Sequence, residues 1–556
     1  MDINKKQEML QKLELLYGEK AERVFCDVSG LIEKYKENTR INPWVNESDV
    51  MLITYGDSIC KDGEKPLYSL NKFLNNYAKD TLSAVHLLPM FPYTSDDGFS
   101  VVDYKAINEE LGSWEDVNEL SKNYNLMFDA VINHISKSSE WFKGWLTGDE
   151  RYKDYFIECD EKLDYSQVTR PRALPLLTPF ETSEGKKYVW TTFSDDQIDI
   201  NFENPKVLVE VLDILITYAL NGARFIRFDA IGFAWKKLGT NCMHLPETHA
   251  LVQLMRDILD ICVPGTTIIT ETNVPHKDNI SYFGNGHNEA QMVYQFPLPP
   301  LTLFSFLTGD ATKLSNWAAD IENMSDETTY FNFLASHDGI GMRPVEDILT
   351  TEEKQVMVDN VLANGGKINY KNNPDGSKSP YELNINYQDA LTHKDAPASE
   401  RINKFIASQT ILLSVIGMPG IYIHSFLGSR NWYEGVESSG INRRINREKL
   451  DYDKLVEELE GDRKEIFERY SRLIKIRRNE AAFSPTSTQK VLLFDKRVFS
   501  IIRENQETGE KILVLVNVSN EEVKLNTSIK GKSIINIKEF SDEVQLKPYE
   551  VEWIKF

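Results

Sequence analysis

Eight short apolar runs, most followed by a stretch with helical spacing, constrain this chain more than any other feature. They are MLITY from Met51, AVHLL from Ala84, LMFDAVI from Leu126, ARFIRF from Ala223, TTIIT from Thr267, MVYQF from Met292, YFNFLA from Tyr330 and IYIHSF from Ile421. Segments such as NPKVLVEVLDILITYAL and ERINKFIASQTILL supply the helical patterns. Strand and helix alternating in this number predict an α/β fold, a (β/α)8 TIM barrel.

The chain has 556 residues, more than a bare barrel needs, so appendages are expected. Residues 1–48 read as a helical N-terminal extension, with Met9, Leu10, Leu13 and Leu16 at helical spacing before Asn42-Pro43 interrupts it. The barrel then takes 49–134 and 197–482, with an inserted domain B over 135–196, after the third strand. A second insertion, around 345–395, carries the turn sequence Asn373-Pro374-Asp375-Gly376. From 483 to 556 the runs VFSIIRE, EKILVLVNVS, SIINIKEF and YEVEWIKF predict a C-terminal antiparallel β domain.

A net charge of −22 argues against a nucleic-acid surface, because phosphate backbones are bound by basic patches. No stretch has the length of apolar sequence that a spanning helix needs, and MDINKKQEML has no apolar signal core, so no membrane partner and a cytoplasmic location are expected. The five cysteines are scattered, with no CxxC pair, which predicts neither a disulfide framework nor a structural zinc site.

Three of the runs stop on an acid: Arg227-Phe228-Asp229, Thr270-Glu271-Thr272 and Ser336-His337-Asp338. The C-terminal rim of a βα barrel is where such a fold presents catalytic groups. Arg227 and Asp229 lie two apart, so both leave the same face of a strand, and the guanidinium is expected to keep the carboxylate ionised as a nucleophile. Glu271 has no adjacent cation in sequence, which allows the raised pKa of a general acid. Asp338 is a further carboxylate able to stabilise developing positive charge. The set suits glycoside transfer with retention, which needs a nucleophile and an acid/base about 5–5.5 Å apart. Asp129, Asn133 and His134 in DAVINH end the third run as a weaker constellation.

DAVINH, ARFIRFDA, IITETN and FLASHDG, in that order, resemble the four signature regions of the α-amylase superfamily. GFSVVDY, TRPRALPL, VWTTFSDDQIDINF, YQFPLPPL and INRRINRE resemble its sucrose phosphorylase group. The resemblance implies Asp229 as nucleophile of a β-glucosyl-enzyme, Glu271 as acid/base and Asp338 as transition-state stabiliser. It implies Asp96, His134, Arg227, His337 and Arg443 as hydrogen-bonding partners of the glucose, Phe99 as its apolar platform, and Gln197 facing the same pocket. Arg172 and Tyr381 match the loop positions for phosphate.

Phe233 stands where sucrose enzymes usually carry Tyr, Glu382 where they carry Gln, and Arg343 in Met342-Arg343-Pro344 where they carry an acid. An Arg near the acceptor favours an anion, since a guanidinium binds a carboxylate bidentately. The N-terminal extension, the RPRALPLLTPFET run and the NPDGSKSPYELNINY loop are more similar to the group's glucosylglycerate phosphorylases. The resemblance therefore implies a retaining phosphorylase that converts an α-glucoside and inorganic phosphate to α-glucose 1-phosphate, with D-glycerate as acceptor, no cofactor and no metal. Its partners are then small-molecule substrates. Sucrose phosphorylase, sucrose 6′-phosphate phosphorylase and an α-glucoside hydrolase are the alternatives. Oligomeric state is left open, a homodimer among the options.

Overall fold

A computed structural model describes residues 3–172, 174–372 and 377–556. The turn sequence Asn373-Pro374-Asp375-Gly376 lies outside the described residues. Eight strands close into a barrel in chain order: β1 (Met51–Thr54), β2 (Ala84–Leu87), β3 (Asn125–Ala130), β4 (Ala223–Phe228), β5 (Thr267–Thr270), β6 (Met292–Tyr294), β7 (Thr329–Asn332) and β8 (Met418–Tyr422). The pairs β3–β4, β4–β5, β5–β6, β7–β8 and β8–β1 are parallel. Every residue in these strands except Asn125 is buried, which is why they read as continuous apolar runs and not as alternating ones. The eighth run keeps its strand only to Tyr422; Ile423–Phe426 is already helical.

The chain divides into two compact units. The first comprises Met1–Trp44, Leu87–Thr272 and Ile280–Val293. Its N-terminal helices, Ile3–Tyr17 and Ala21–Tyr35, are tied to barrel helices by charge. Lys5 and Lys12 both reach the buried carboxylate of Asp257 on the helix Pro246–Cys262, at 2.6 and 2.5 Å. Lys34 and Tyr35 reach Asp213 on the helix Pro205–Leu220, at 2.7 and 2.8 Å. That second helix starts where its sequence says: Asn204 accepts from the Lys206 N–H, and Pro205 occupies the first turn, where its missing N–H is harmless. Between β3 and β4 lie the hairpin Leu177–Thr182 with Gly185–Trp190 and the antiparallel pair His134–Ser136 with Gln197–Asp199.

The second unit comprises Val45–His86, Asn273–Asn279 and Tyr294–Phe556. It contains a hairpin, Lys367–Asn372 with Lys378–Asn384, and a C-terminal antiparallel sheet built on Val498–Glu504, Lys511–Asn517 and Val551–Lys555. The expected strand SIINIKEF is corrected: only Gly531–Ser533 and Glu539–Phe540 are extended, and they pair antiparallel. Ile537 has a φ of 54° and its side chain is exposed, so the apolar run turns back on itself. Among the described residues no helix is long and apolar enough to cross a membrane.

Two arginines with no exposed surface, Arg477 and Arg503, sit where this sheet meets the helix Ala398–Ser414. Arg477 donates to the carbonyls of Leu413, Glu47, Gly417 and Phe483, and Arg503 to those of Ser414, Ser484, Ser487 and Thr488. Burial pulls each guanidinium down to about 9, which leaves both charged at neutral pH. Each therefore places a positive charge at the negative end of a helix dipole and satisfies carbonyls that the helix itself cannot. Arg503→Met should lower the unfolding free energy by about 3 kcal/mol or more, since a buried polar group left unsatisfied costs about 1–3 kcal/mol. Equilibrium denaturation in urea checks this; a variant within 1 kcal/mol of the parent would exclude the role.

Candidate active site

Strand spacing places Arg227 at the end of β4, with Asp229 just beyond it. Its Nη1 donates to Asp229 Oδ1 at 2.7 Å and also to Asp129 Oδ1, the residue directly opposite on β3. One buried guanidinium thus serves two carboxylates. Burial pushes the Asp229 carboxyl up and Asp129 adds to the rise, against the downward pull of Arg227, which its spacing predicts, and the further pull of His134. The net direction is upward because a desolvated carboxylate shares its counter-ion.

Ala230, next to Asp229, adopts a left-handed φ of 52°. That turn aims its N–H at Glu271 Oε2, 3.2 Å away, and Glu271 N–H in turn donates to Phe228 O. The acid at the end of β5 is therefore tied to the residue beside the acid at the end of β4.

His134 is fully enclosed, and burial lowers its pKa, so the ring is neutral. Its Nε2 lies 2.8 Å from Phe99 O and its Nδ1 lies 3.2 Å from Asn133 Nδ2. A neutral ring satisfies both only with the proton on Nε2, donating to Phe99 and accepting at Nδ1. Gln197 Nε2 donates to Phe99 O at 3.0 Å and to Asp96 Oδ2 at 3.2 Å. Arg172 Nη2 reaches the same Asp96 oxygen at 2.9 Å. Phe99 lies over the Arg227 guanidinium, and Phe233 is buried against Phe193. The first unit thus brings together Asp96, Phe99, His134, Arg172, Gln197, Arg227, Asp229, Phe233 and Glu271.

The second unit assembles the rest. Asp338 Oδ1 pairs with Arg443 Nη1 at 2.7 Å, and His337 Nε2 lies 3.5 Å away. Arg443 also binds both oxygens of Glu382, at 2.9 and 3.1 Å. Glu382 is buried and accepts further from Gly339 N–H and Asn369 Nδ2. The Glu expected beside the acceptor is thereby neutralised by a cation. Tyr381 and Arg343 flank this group, since Met342 N–H donates to Tyr381 O and Gly341 pairs with Glu382 across a short sheet. Among the described residues the Arg343 side chain has no hydrogen-bond or ion-pair partner.

Three residues of this architecture escape sequence reasoning. Phe193 packs between His134 and Phe233, with the Arg172 guanidinium over its ring. Lys236, a buried ammonium, joins Asn133 Oδ1 at 2.8 Å to Asp199 Oδ2 at 2.7 Å. Asp196 gathers hydroxyls from the loop that carries Asp96. Only the run of polar residues before QIDIN hints at the last.

The α-amylase catalytic-domain family matches residues 76–363. The chain is 46% identical over 554 residues to a glucosylglycerate phosphorylase of Allomeiothermus silvanus, covering 99% of this chain and 98% of the relative. It is 47% identical over 531 residues to one of Spirochaeta thermophila, covering 92% and 90%. The crystal structure of sucrose 6F-phosphate phosphorylase from Thermoanaerobacter thermosaccharolyticum superposes with a TM-score of 0.74 over 85% of this chain and 94% of that one, at 23% identity, and so shares the fold. On the match to its catalytic domain and the extent of these identities, the chain belongs to the α-amylase family.

Proposed function

We propose that the chain is a glucosylglycerate phosphorylase, converting 2-O-α-D-glucosyl-D-glycerate and inorganic phosphate to α-D-glucose 1-phosphate and D-glycerate. The observation that carries the reading is the coupled pair at the ends of β4 and β5: Asp229 on a buried guanidinium, and Glu271 held by the N–H next to it. That the similar proteins of Spirochaeta thermophila and Allomeiothermus silvanus are glucosylglycerate phosphorylases supports the choice of substrate.

In the first step an Asp229 oxygen attacks the anomeric carbon, the bond to the glycerate oxygen breaks, and Glu271 gives that oxygen its proton. A β-glucosyl ester on Asp229 results. In the second step a phosphate oxygen attacks the same carbon from the opposite side, Glu271 takes up a proton, and the ester bond breaks; two inversions give retention. Asp338 supplies negative charge as the sugar becomes cationic. Asp96, His134, Arg227, His337 and Arg443 hold the glucose hydroxyls, with Gln197 in the same pocket, and Phe99 and Phe233 supply apolar surface. Arg172 and Tyr381 receive the phosphate; a guanidinium has five donors, so the bond from Arg172 to Asp96 leaves others for an anion. Arg343, with no partner of its own among the described residues, meets the glycerate carboxylate. Arg443 answers the charge of Glu382, which otherwise repels that carboxylate. A cytoplasmic location fits this reading, since phosphate and charged sugar phosphates are held inside cells.

A donor screen tests the function: with phosphate present, glucosylglycerate should release glucose 1-phosphate far faster than sucrose or sucrose 6′-phosphate does. A preference for either sucrose donor would reassign the enzyme. Glu271→Gln should cripple turnover of the natural donor while partly sparing glucosyl fluoride, whose leaving group needs no proton. Equal losses in the glucosylation step on both donors would remove Glu271 from the acid role. Arg343→Ala should raise the KM for glycerate in the synthetic direction, with less effect on neutral glycerol. If the pair is desolvated the loss is about 2–5 kcal/mol, and an unchanged KM for glycerate would place the acceptor carboxylate elsewhere.

A further inference from the structure

Asp96 and Asp97 are consecutive non-glycine residues in the left-handed region, at φ 55° and 46°. Backbone of this kind persists only where its surroundings over-determine it. Part of the restraint acts on the Asp96 side chain, through Arg172 and Gln197. The rest acts on the flanking residues and converges on one group. Asp196 Oδ2 lies 2.6 Å from Thr94 Oγ1, 2.5 Å from Ser95 Oγ and 3.0 Å from Ser100 Oγ. Its Oδ1 lies 3.3 Å from Ser136 Oγ. The Ser100 hydroxyl also reaches Asp196 O at 2.7 Å, so its single proton is shared between the two acceptors. Donors thus come from both sides of the Asp96–Asp97 turn and from the strand that begins at His134.

We propose that Asp196 is the positioning residue of the sugar-contacting loop, fixing Asp96 and Phe99 from domain B. The chemistry requires an acceptor oxygen that carries no proton: hydroxyls pointing at Oδ2 all donate to it, which a carboxylate or amide oxygen permits and a hydroxyl or ammonium in its place does not. Asp196 is 8% exposed and immediately precedes Gln197, so one short segment holds the loop backbone with one residue and the Asp96 carboxylate with the next. Its substitution acts through Asp96, on the glucosyl half of the substrate and not on the acceptor half. The inference rests on the proposed role of Asp96 at the glucose.

The test is a double-mutant cycle in the synthetic direction, with glucose 1-phosphate and glycerate varied separately. Asp196→Ala should lower kcat/KM for glucose 1-phosphate about tenfold or more while the KM for glycerate stays within about twofold, and Asp196→Asn, which keeps an oxygen for the converging hydroxyls, should recover most of the loss. In an Asp96→Asn background the further loss from Asp196→Ala should nearly vanish, because both act through one side chain. A merely structural role instead lowers Tm and depresses both substrates alike. Additive losses, or native glucose 1-phosphate kinetics in Asp196→Ala, overturn the proposal. If Asp196→Ala does not fold, Ser95→Ala replaces it, with the same split at smaller size expected and native glucose 1-phosphate kinetics overturning. Asp96→Asn alone separates the two readings: if it leaves glucose 1-phosphate kinetics native, the assignment of the sugar site fails first.

Discussion

One guanidinium shared between two carboxylates sets the terms for the candidate site in the first unit. Arg227, buried at the end of β4, holds Asp129 from β3 and Asp229 just beyond its own strand. Taking three charges out of water is expensive unless each is paired. With one cation against two anions the cluster keeps a net negative charge, and the neutral His134 beside it adds nothing to offset that. A residual negative charge is what a sugar acquiring oxocarbenium character needs around it. Burial first, and the competing carboxylate of Asp129 after it, explain why Asp229 does not sit as low on the pH scale as Arg227 alone would hold it.

The barrel was legible because parallel strands buried on both faces leave continuous apolar runs, and all eight are visible. The acids that follow β4 and β5 were legible for a related reason: a carboxylate closing an apolar strand is conspicuous. The spacing of Arg227 and Asp229 also gave their contact, but not the claim of Asp129 on the same guanidinium, which comes from a neighbouring strand. Asp196, Phe193 and the grip of Glu382 on Arg443 were not legible, because their partners lie far away in the chain and their residue types are ordinary in loops. SIINIKEF misled for a local reason, since hydrophobicity does not show that Ile537 takes a left-handed φ.

Two arginines near one another in the second unit have different circumstances. Arg443 is bound on both sides by Asp338 and Glu382, and its geometry is fixed by them. Arg343 has no such engagement among the described residues. A committed guanidinium orients its neighbours, whereas an uncommitted one offers its full fork to an incoming anion. A Glu at position 382 is thus no contradiction to the proposed anionic acceptor, because its charge is spent on Arg443.

The two arginines at the end of the helix Ala398–Ser414 also bear on the order in which the chain can be completed on the ribosome. The barrel seam joins β8 to β1. Arg477 binds the carbonyl of Glu47 just ahead of β1, as well as Leu413 and Gly417 just ahead of β8. Arg503 and Trp553 satisfy Ser414, the last residue of the helix. The first strand therefore leaves the ribosome long before the groups that finish its seam. Until residue 553 has emerged, the helix end beside that seam lacks a partner supplied by the final strand.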